Sequence, residues 1–361
     1  MREIRGLTGL RIYLALWVVF YHTHANIFTP IPDGYFRNLF HYGDEAVPFF
    51  FALSGFLLNY VYGKKTRERL NPFSLQYIYK RFLKLYPVHF VCLSVFFIMV
   101  NLANYLGYKF NNPTFFTYDS LIENLLLIQA WFTPQKLSWN IVAWSISVEI
   151  FLYLVIFPIV AWRFFSFNKI LSLIVPIIVV LAFRSFQIYT GWIHTGVTFF
   201  ILGYLTYFIS DYFKFISMKW WVDLLLAISI FGLLYTVHKG LLTKTNLGIC
   251  AAAFLILIPH SRVLTKYLFD NRLCHYWGVR SYSLYMVHVL VQTVVFQIQK
   301  KFPSSIISEF LLCYYLFYFT LLFTVTFFLY KYIEDMVPKI ARNIQIRFKT
   351  KFLVFFRTRP S

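Results

Sequence analysis

Runs of about 20 residues with hardly a charge recur along this chain, and a helix of that length is what crosses the hydrocarbon core of a bilayer. Divided in that unit, the sequence gives about ten segments, near residues 8–28, 46–62, 86–106, 139–162, 170–189, 192–210, 220–237, 246–260, 281–299 and 309–332. The joints are short and charged, as in Gly63-Lys64-Lys65-Thr66-Arg67-Glu68-Arg69. Composition agrees: 59% of the 361 residues are hydrophobic and 13% are charged, about half the charged share of a soluble domain. That is too little charge to coat a water-facing surface, so a soluble enzyme is excluded. Disorder fails as well, because it needs low hydrophobicity. The net charge of +20 is no nucleic-acid footprint, since such a binder clusters its Lys and Arg on a polar face.

The basic residues sort by side. With both termini placed on one side, 26 of the 34 Lys and Arg fall there and 8 fall on the other, the asymmetry expected when the basic side is cytoplasmic. The expected fold is therefore all-α: a polytopic membrane protein of about ten transmembrane helices with both termini in the cytoplasm. Its site is a cell membrane, foremost a bacterial inner membrane. Residues 1–335 read as one transmembrane unit and 336–361 as a basic cytoplasmic tail. The first apolar run lacks a small-residue cleavage site and is followed by further spans, so it reads as a retained helix and not a signal peptide. Cys92, Cys250, Cys274 and Cys313 show no short pairing and read as small hydrophobes, with neither a disulfide set nor a metal site expected.

Ionisable groups inside spans are costly and are functional suspects by default. Arg11 and His22 lie 11 residues apart, within about 20° of one helical face and roughly 16 Å along the axis. Arg11 also reads as a positive anchor at the inner surface. Ser145 and Glu149 share a face of the fourth span, where a carboxylate must be protonated or paired, either as functional machinery or as a structural ion pair. Tyr282, Tyr285 and His288 follow one side of the ninth span, where His288 also reads as a hydrogen-bonded core histidine. The joint ending in Tyr79-Lys80-Arg81-Phe82-Leu83-Lys84 concentrates cations. It suits anionic lipid headgroups or a polyphosphate. His22, Glu149 and His288 together also fit a proton relay, so a proton-coupled transporter is the rival class.

These motifs in order resemble one family. Arg5-Gly6-Leu7-Thr8-Gly9-Leu10-Arg11 with Tyr21-His22, then Pro48-Phe49-Phe50-Phe51-Ala52-Leu53-Ser54-Gly55-Phe56, then Lys80-Arg81, Lys84 and Tyr86-Pro87, then Trp144-Ser145 with Glu149, Tyr153 and Pro158, and last Tyr282-Ser283-Leu284-Tyr285 with His288 and Tyr332-Ile333-Glu334 resemble the integral-membrane acyltransferase family 3. The resemblance implies an enzyme that moves an acyl group, commonly acetyl, from cytoplasmic acyl-coenzyme A to a hydroxyl of a sugar, glycan or similar acceptor on the outer side. It implies His22 as the family's histidine, Arg5 and Arg11 as its first-helix arginines, and Arg81 with Lys84 as its basic pair. Lys84 departs from the family's usual Arg and gives up bidentate phosphate contact. On this reading His22 is the general base, Glu149 steadies its imidazole, and Ser145 and Tyr285 serve the oxyanion. Arg5, Arg11, Arg81 and Lys84 hold the phosphates of the donor, acetyl-CoA or another acyl-CoA. No metal is expected. The expected partners are the donor, the acceptor and membrane lipid, with no nucleic acid; the sequence leaves the oligomeric state open. The outer segment from Asn111 to Lys136, with Tyr118, Asp119, Glu123, Gln129 and Trp131, is the expected acceptor rim.

Overall fold

The computed structural model describes residues 3–26, 35–68, 74–107, 115–132, 138–162, 169–186, 191–213, 219–303 and 309–345. They form helices and connecting turns, with no strand among the described residues, the economical answer in lipid because a helix satisfies its own backbone polar groups. In chain order the helices are α1 (Arg5–Asn26), α2 (Tyr35–His41), α3 (Ala46–Glu68), α4 (Leu75–Tyr105), α5 (Tyr118–Leu126), α6 (Trp144–Phe151), α7 (Lys169–Phe186), α8 (Gly191–Phe213), α9 (Lys219–His238), α10 (Lys244–Leu257), α11 (Arg272–Val279), α12 (Ser281–Gln299) and α13 (Leu311–Leu329). Every apolar segment of the sequence falls on one of them. Seven helices are long and apolar enough to cross a membrane by length and composition, and those around Ile170–Ser185 and Lys244–Leu257 are shorter. The N-terminal helix α1, which is not one of those seven, has 22 residues and carries Arg5 and Arg11.

Two junctions differ from the sequence expectation. The helix expected from residue 86 begins at Leu75, where the Ser74 side chain accepts from the Tyr77 amide, a cap that satisfies an orphan donor. Arg81 and Lys84 therefore ride on the spanning helix itself and not on a loop before it. The segment at 139–162 enters its helix only at Trp144, after a 3-10 turn over Ile141–Ala143. Trp139 takes φ 56, a left-handed conformation costly for a bulky residue. Its surroundings hold it there: the indole Nε1 donates to Ser120 Oγ at 3.0 Å and the ring packs on Phe97 and Phe116. Asn140 then reaches across to donate to the Met286 carbonyl at 3.1 Å, tying the entry of α6 to α12. After a π-helical stretch over Leu152–Ile156, α6 continues through Phe157–Val160. At the other end of the chain, α13 runs through a π-helical stretch, Tyr330–Asp335, into helix that persists to residue 345. The first residues of the expected tail thus continue the last span, and residues 346–361 lie outside the described residues.

Small residues let α3 and α8 touch backbone to backbone. A Cβ on Gly203 would sit 1.8 Å from the Ala52 carbonyl oxygen, and one on Gly55 would sit 2.0 Å from that of Phe200. This is how membrane helices gain packing energy when lipid is as apolar as their own side chains. The contact presents Ser54, next to Gly55, to the molecular interior.

The polar contacts at the helix ends test the count of spans. Asn38 donates to the His238 carbonyl, Tyr42 to the Gly240 carbonyl, and Lys244 Nζ meets Glu45 Oε1 at 2.7 Å. The joint after α1 and the joint after α9 therefore share an end of the molecule, which requires an even number of crossings between them. Two crossings over residues 170–210, α7 and α8, satisfy this; one would not. At the opposite end His260 meets Ser210, and Asp223 accepts from Ser261 and from the Leu264 amide.

Candidate active site

A cavity of about 330 Å³ opens among α1, α3, α4, α6 and α12. Charge lines it in both signs: Arg11 from α1, Arg81 and Lys84 from α4, Glu149 from α6, and Glu3 from just before α1. Phe50, Phe51, Leu53 and Leu57 of α3 supply an apolar wall, so the charges face one another across a space lined partly by hydrocarbon. The Glu3 carboxylate accepts from Thr8 Oγ1 at 2.7 Å and lies 3.2 Å from His275 Nε2. Burial works to raise its pKa, but these hydrogen bonds and the charges of His275 and Arg5 outweigh it and leave Glu3 below the ordinary carboxylate range.

Arg81 is held by aromatic faces. Its guanidinium carbon lies 5.0, 5.5 and 5.3 Å from the ring centroids of Tyr62, Tyr77 and Tyr153, within the range where a ring quadrupole attracts a cation. Its Nε is buried with no hydrogen-bond partner among the described residues. Beside it, the Tyr153 hydroxyl donates a short hydrogen bond to Glu149 Oε1, and Ser54 Oγ donates to the same oxygen at 3.0 Å. Glu149 and Tyr153 meet because they are four residues apart on one helix.

Tyr285 of α12 also lines the cavity. Its hydroxyl lies 2.8 Å from Ser145 Oγ, and Phe50 packs against its ring. Past it lies a pair of histidines. His288 Nδ1 is 2.6 Å from the Tyr285 carbonyl oxygen, and its Nε2 is 3.3 Å from His22 Nδ1. His22 Nδ1 is also 3.0 Å from the Val18 carbonyl oxygen. A carbonyl can only accept, so each Nδ1 that faces one carries the proton in the neutral ring. His288 Nε2 is then an acceptor for the His22 Nδ1–H, and the lone pair of His22 is on Nε2. Gln292 fixes the turn below by donating to the His22 carbonyl at 2.6 Å.

A family model described as an acyltransferase domain matches residues 4–331. The chain belongs to acyltransferase family 3. It is accordingly an acyltransferase of the membrane type, all-α and polytopic. No curated protein and no solved structure matches it.

The residues that the sequence singled out gather unequally. Arg11, Arg81, Lys84, Glu149, Ser145 and Tyr285 all line the one cavity, although they come from four helices. His22 does not line that cavity; the contacts run from Tyr285 to His288, ring centroids 5.7 Å apart, and from His288 to His22, ring centroids 5.0 Å apart. Among the described residues the hydrogen bonds of Glu149 run to Ser54 and Tyr153, while the imidazole of His22 meets His288 and the ring of Tyr21. Arg5 points away from the cavity, with Nε 2.8 Å from Asp270 Oδ1. The expected rim divides as well. Tyr118 and Asp119 are exposed, whereas Gln129 donates to the Ala143 carbonyl and Trp131 to that of Ser147, so these two brace the entry of α6. Asn111 and Lys136 lie outside the described residues. Sequence reasoning passes over Ser54 and Tyr153, although each stands in a quoted motif, and leaves the role of His288 open.

Proposed function

We propose that the acyl group comes from acyl-coenzyme A, acetyl-CoA foremost, and goes to a hydroxyl of a glycan or similar acceptor on the opposite side of the membrane. The observation that carries this reading is the His22–His288 contact at the end of a polar column that starts among cations. Arg11, Arg81 and Lys84 suit a polyphosphate, and the apolar wall of α3 suits the thin pantetheine arm. His22 is the general base: a histidine transfers protons near neutral pH. Its Nε2 takes the proton of the acceptor hydroxyl, the oxygen attacks the thioester carbonyl, and the carbon–sulfur bond breaks. The proton then passes from the imidazolium to the departing thiolate.

His288 does for His22 what a carboxylate does in a catalytic triad, accepting from Nδ1–H and steadying the cation that forms. Ser145 and Tyr285, hydroxyl to hydroxyl at the cavity end, are placed to donate to the developing oxyanion. Glu149 acts at a distance from the imidazole, as the counter-charge of the caged Arg81. Because His22 does not line the cavity, the reading requires the Tyr285 ring to shift as the thioester and the hydroxyl meet, its hydroxyl staying beside Ser145 within reach of the oxyanion. The test uses purified protein in detergent with acetyl-CoA and a sugar acceptor. Release of free thiol that depends on acceptor, and its loss in His22→Ala, is the expected result. Thiol release unchanged in His22→Ala with folding intact removes the proposed base, and no thiol release from the wild type favours a proton-coupled carrier.

A further inference from the structure

A second cavity, of about 320 Å³, adjoins the first and shares Glu3, Thr8, Arg11 and Lys84 with it. It adds Lys80 from α4 and, from the end of the last span, Glu334 and Asp335. Carboxylates therefore meet the shared cations Arg11 and Lys84 from both cavities: Glu149 lines only the first, Glu334 and Asp335 only the second, and Glu3 lines both. Glu334 is firmly placed. Its Oε2 accepts from the Ser283 hydroxyl at 2.5 Å and from the Ser283 amide at 3.2 Å, in the first turn of α12, and it lines the second cavity together with Arg11 and Lys84. A polyphosphate site is weakened by such an acid, so its presence among the phosphate-binding cations calls for a reason. The reason lies in the empty enzyme. Arg11, Arg81 and Lys84 repel one another where little water screens them, and an anion must balance them when no donor is bound.

We propose that Glu334 is a built-in counter-anion: it occupies the electrostatic place of a donor phosphate in the empty enzyme and so sets the affinity for the donor. This rests on the reading of the donor as an acyl-coenzyme A. Donor phosphates compete with Glu334 for Arg11, Lys84 and Lys80, which limits affinity and keeps the spent coenzyme A from lingering, a step that limits many enzymes.

The test measures equilibrium binding of coenzyme A, and of pantetheine as a phosphate-free probe, to the full chain in lipid nanodiscs. Glu334→Gln keeps an acceptor for Ser283 and removes the charge. It should bind coenzyme A about tenfold more tightly, the order expected for one unit charge at intermediate dielectric, and pantetheine as the wild type does. Glu334→Asp keeps the charge and gives up the reach to Ser283; it should hold coenzyme A at wild-type affinity while melting at a lower temperature. Equal or weaker coenzyme A binding by Glu334→Gln overturns the inference, as does an equal gain for pantetheine or a loss of coenzyme A affinity in Glu334→Asp. Wild-type protein that retains no coenzyme A refutes the donor reading and takes this inference with it, a result distinct from binding that Glu334→Gln leaves unmoved.

Discussion

Replacing His288 by Ala isolates the step at which His22 becomes charged. In the structure His288 Nε2 faces His22 Nδ1 at 3.3 Å, and the Tyr285 carbonyl holds the His288 ring in the tautomer that accepts. When His22 takes a proton at Nε2, that contact becomes a hydrogen bond from a cation, worth about 1.5–3 kcal/mol. Its loss raises the barrier by the same amount, so kcat should fall about 10- to 150-fold. His288 does not line the donor cavity, so KM for acyl-CoA should stay near the wild-type value. His288→Gln puts an amide oxygen near the place of Nε2 and should recover about a tenfold part of the loss. The assay is steady-state thiol release with acceptor saturating, alongside thermal unfolding in detergent, because removing a fully buried ring also costs stability. A kcat within about twofold of wild type for folded His288→Ala would refute the reasoning, and so would a rise in KM with kcat intact.

Two further changes test the packing and the placement of the cations. Gly203→Ala drives a methyl to within 1.8 Å of the Ala52 carbonyl and should cost about 2 kcal/mol or more. Gly232→Ala, where nothing lies within 4 Å, should be neutral or slightly stabilising; equal melting temperatures for the two variants would contradict the α3–α8 contact. Arg5→Gln removes a surface ion pair with Asp270, worth less than about 1 kcal/mol, and should leave coenzyme A affinity as it is. Arg11→Gln should weaken that affinity about tenfold. Equal losses in both variants would place Arg5 in the donor site.

The spans were legible because a bilayer turns length and hydrophobicity into structure with few alternatives, and the end contacts agree with an even number of crossings between the joints after α1 and α9. Local entries were less legible. The left-handed Trp139 and the cap at Ser74 depend on partners that no periodicity reveals, Ser120 for one and the start of α4 for the other. Face arithmetic put Arg11 and His22 on one stripe, yet a stripe does not say which neighbour stands beside each turn. Only the packing of α12 shows that Arg11 shares its cavity with Tyr285 while His22 meets His288. The partner of His22 was hidden for the same reason: His288 is 266 residues away, and sequence offered only its place three residues after Tyr285. Glu149 was read as the partner of the imidazole because it was the buried acid at hand. The structure gives it Tyr153, one turn along, and Ser54, brought in by the close approach of α3 and α8. Arg5 shows that a motif position need not face the site, since six residues of α1 turn it about 120° away from Arg11 and deliver it to Asp270.

Transfer across the bilayer is the central claim, and sidedness measures it most directly. Purified protein is reconstituted into sealed vesicles with a glycan acceptor trapped inside and radiolabelled acetyl-CoA outside, and the orientation is determined by protease access to the basic tail. Vesicles with the tail facing outward should build labelled glycan inside while labelled coenzyme ester stays excluded, and His22→Ala vesicles should build none. Label that reaches the lumen as intact acetyl-CoA, or trapped glycan acetylated equally well by His22→Ala, would contradict the account.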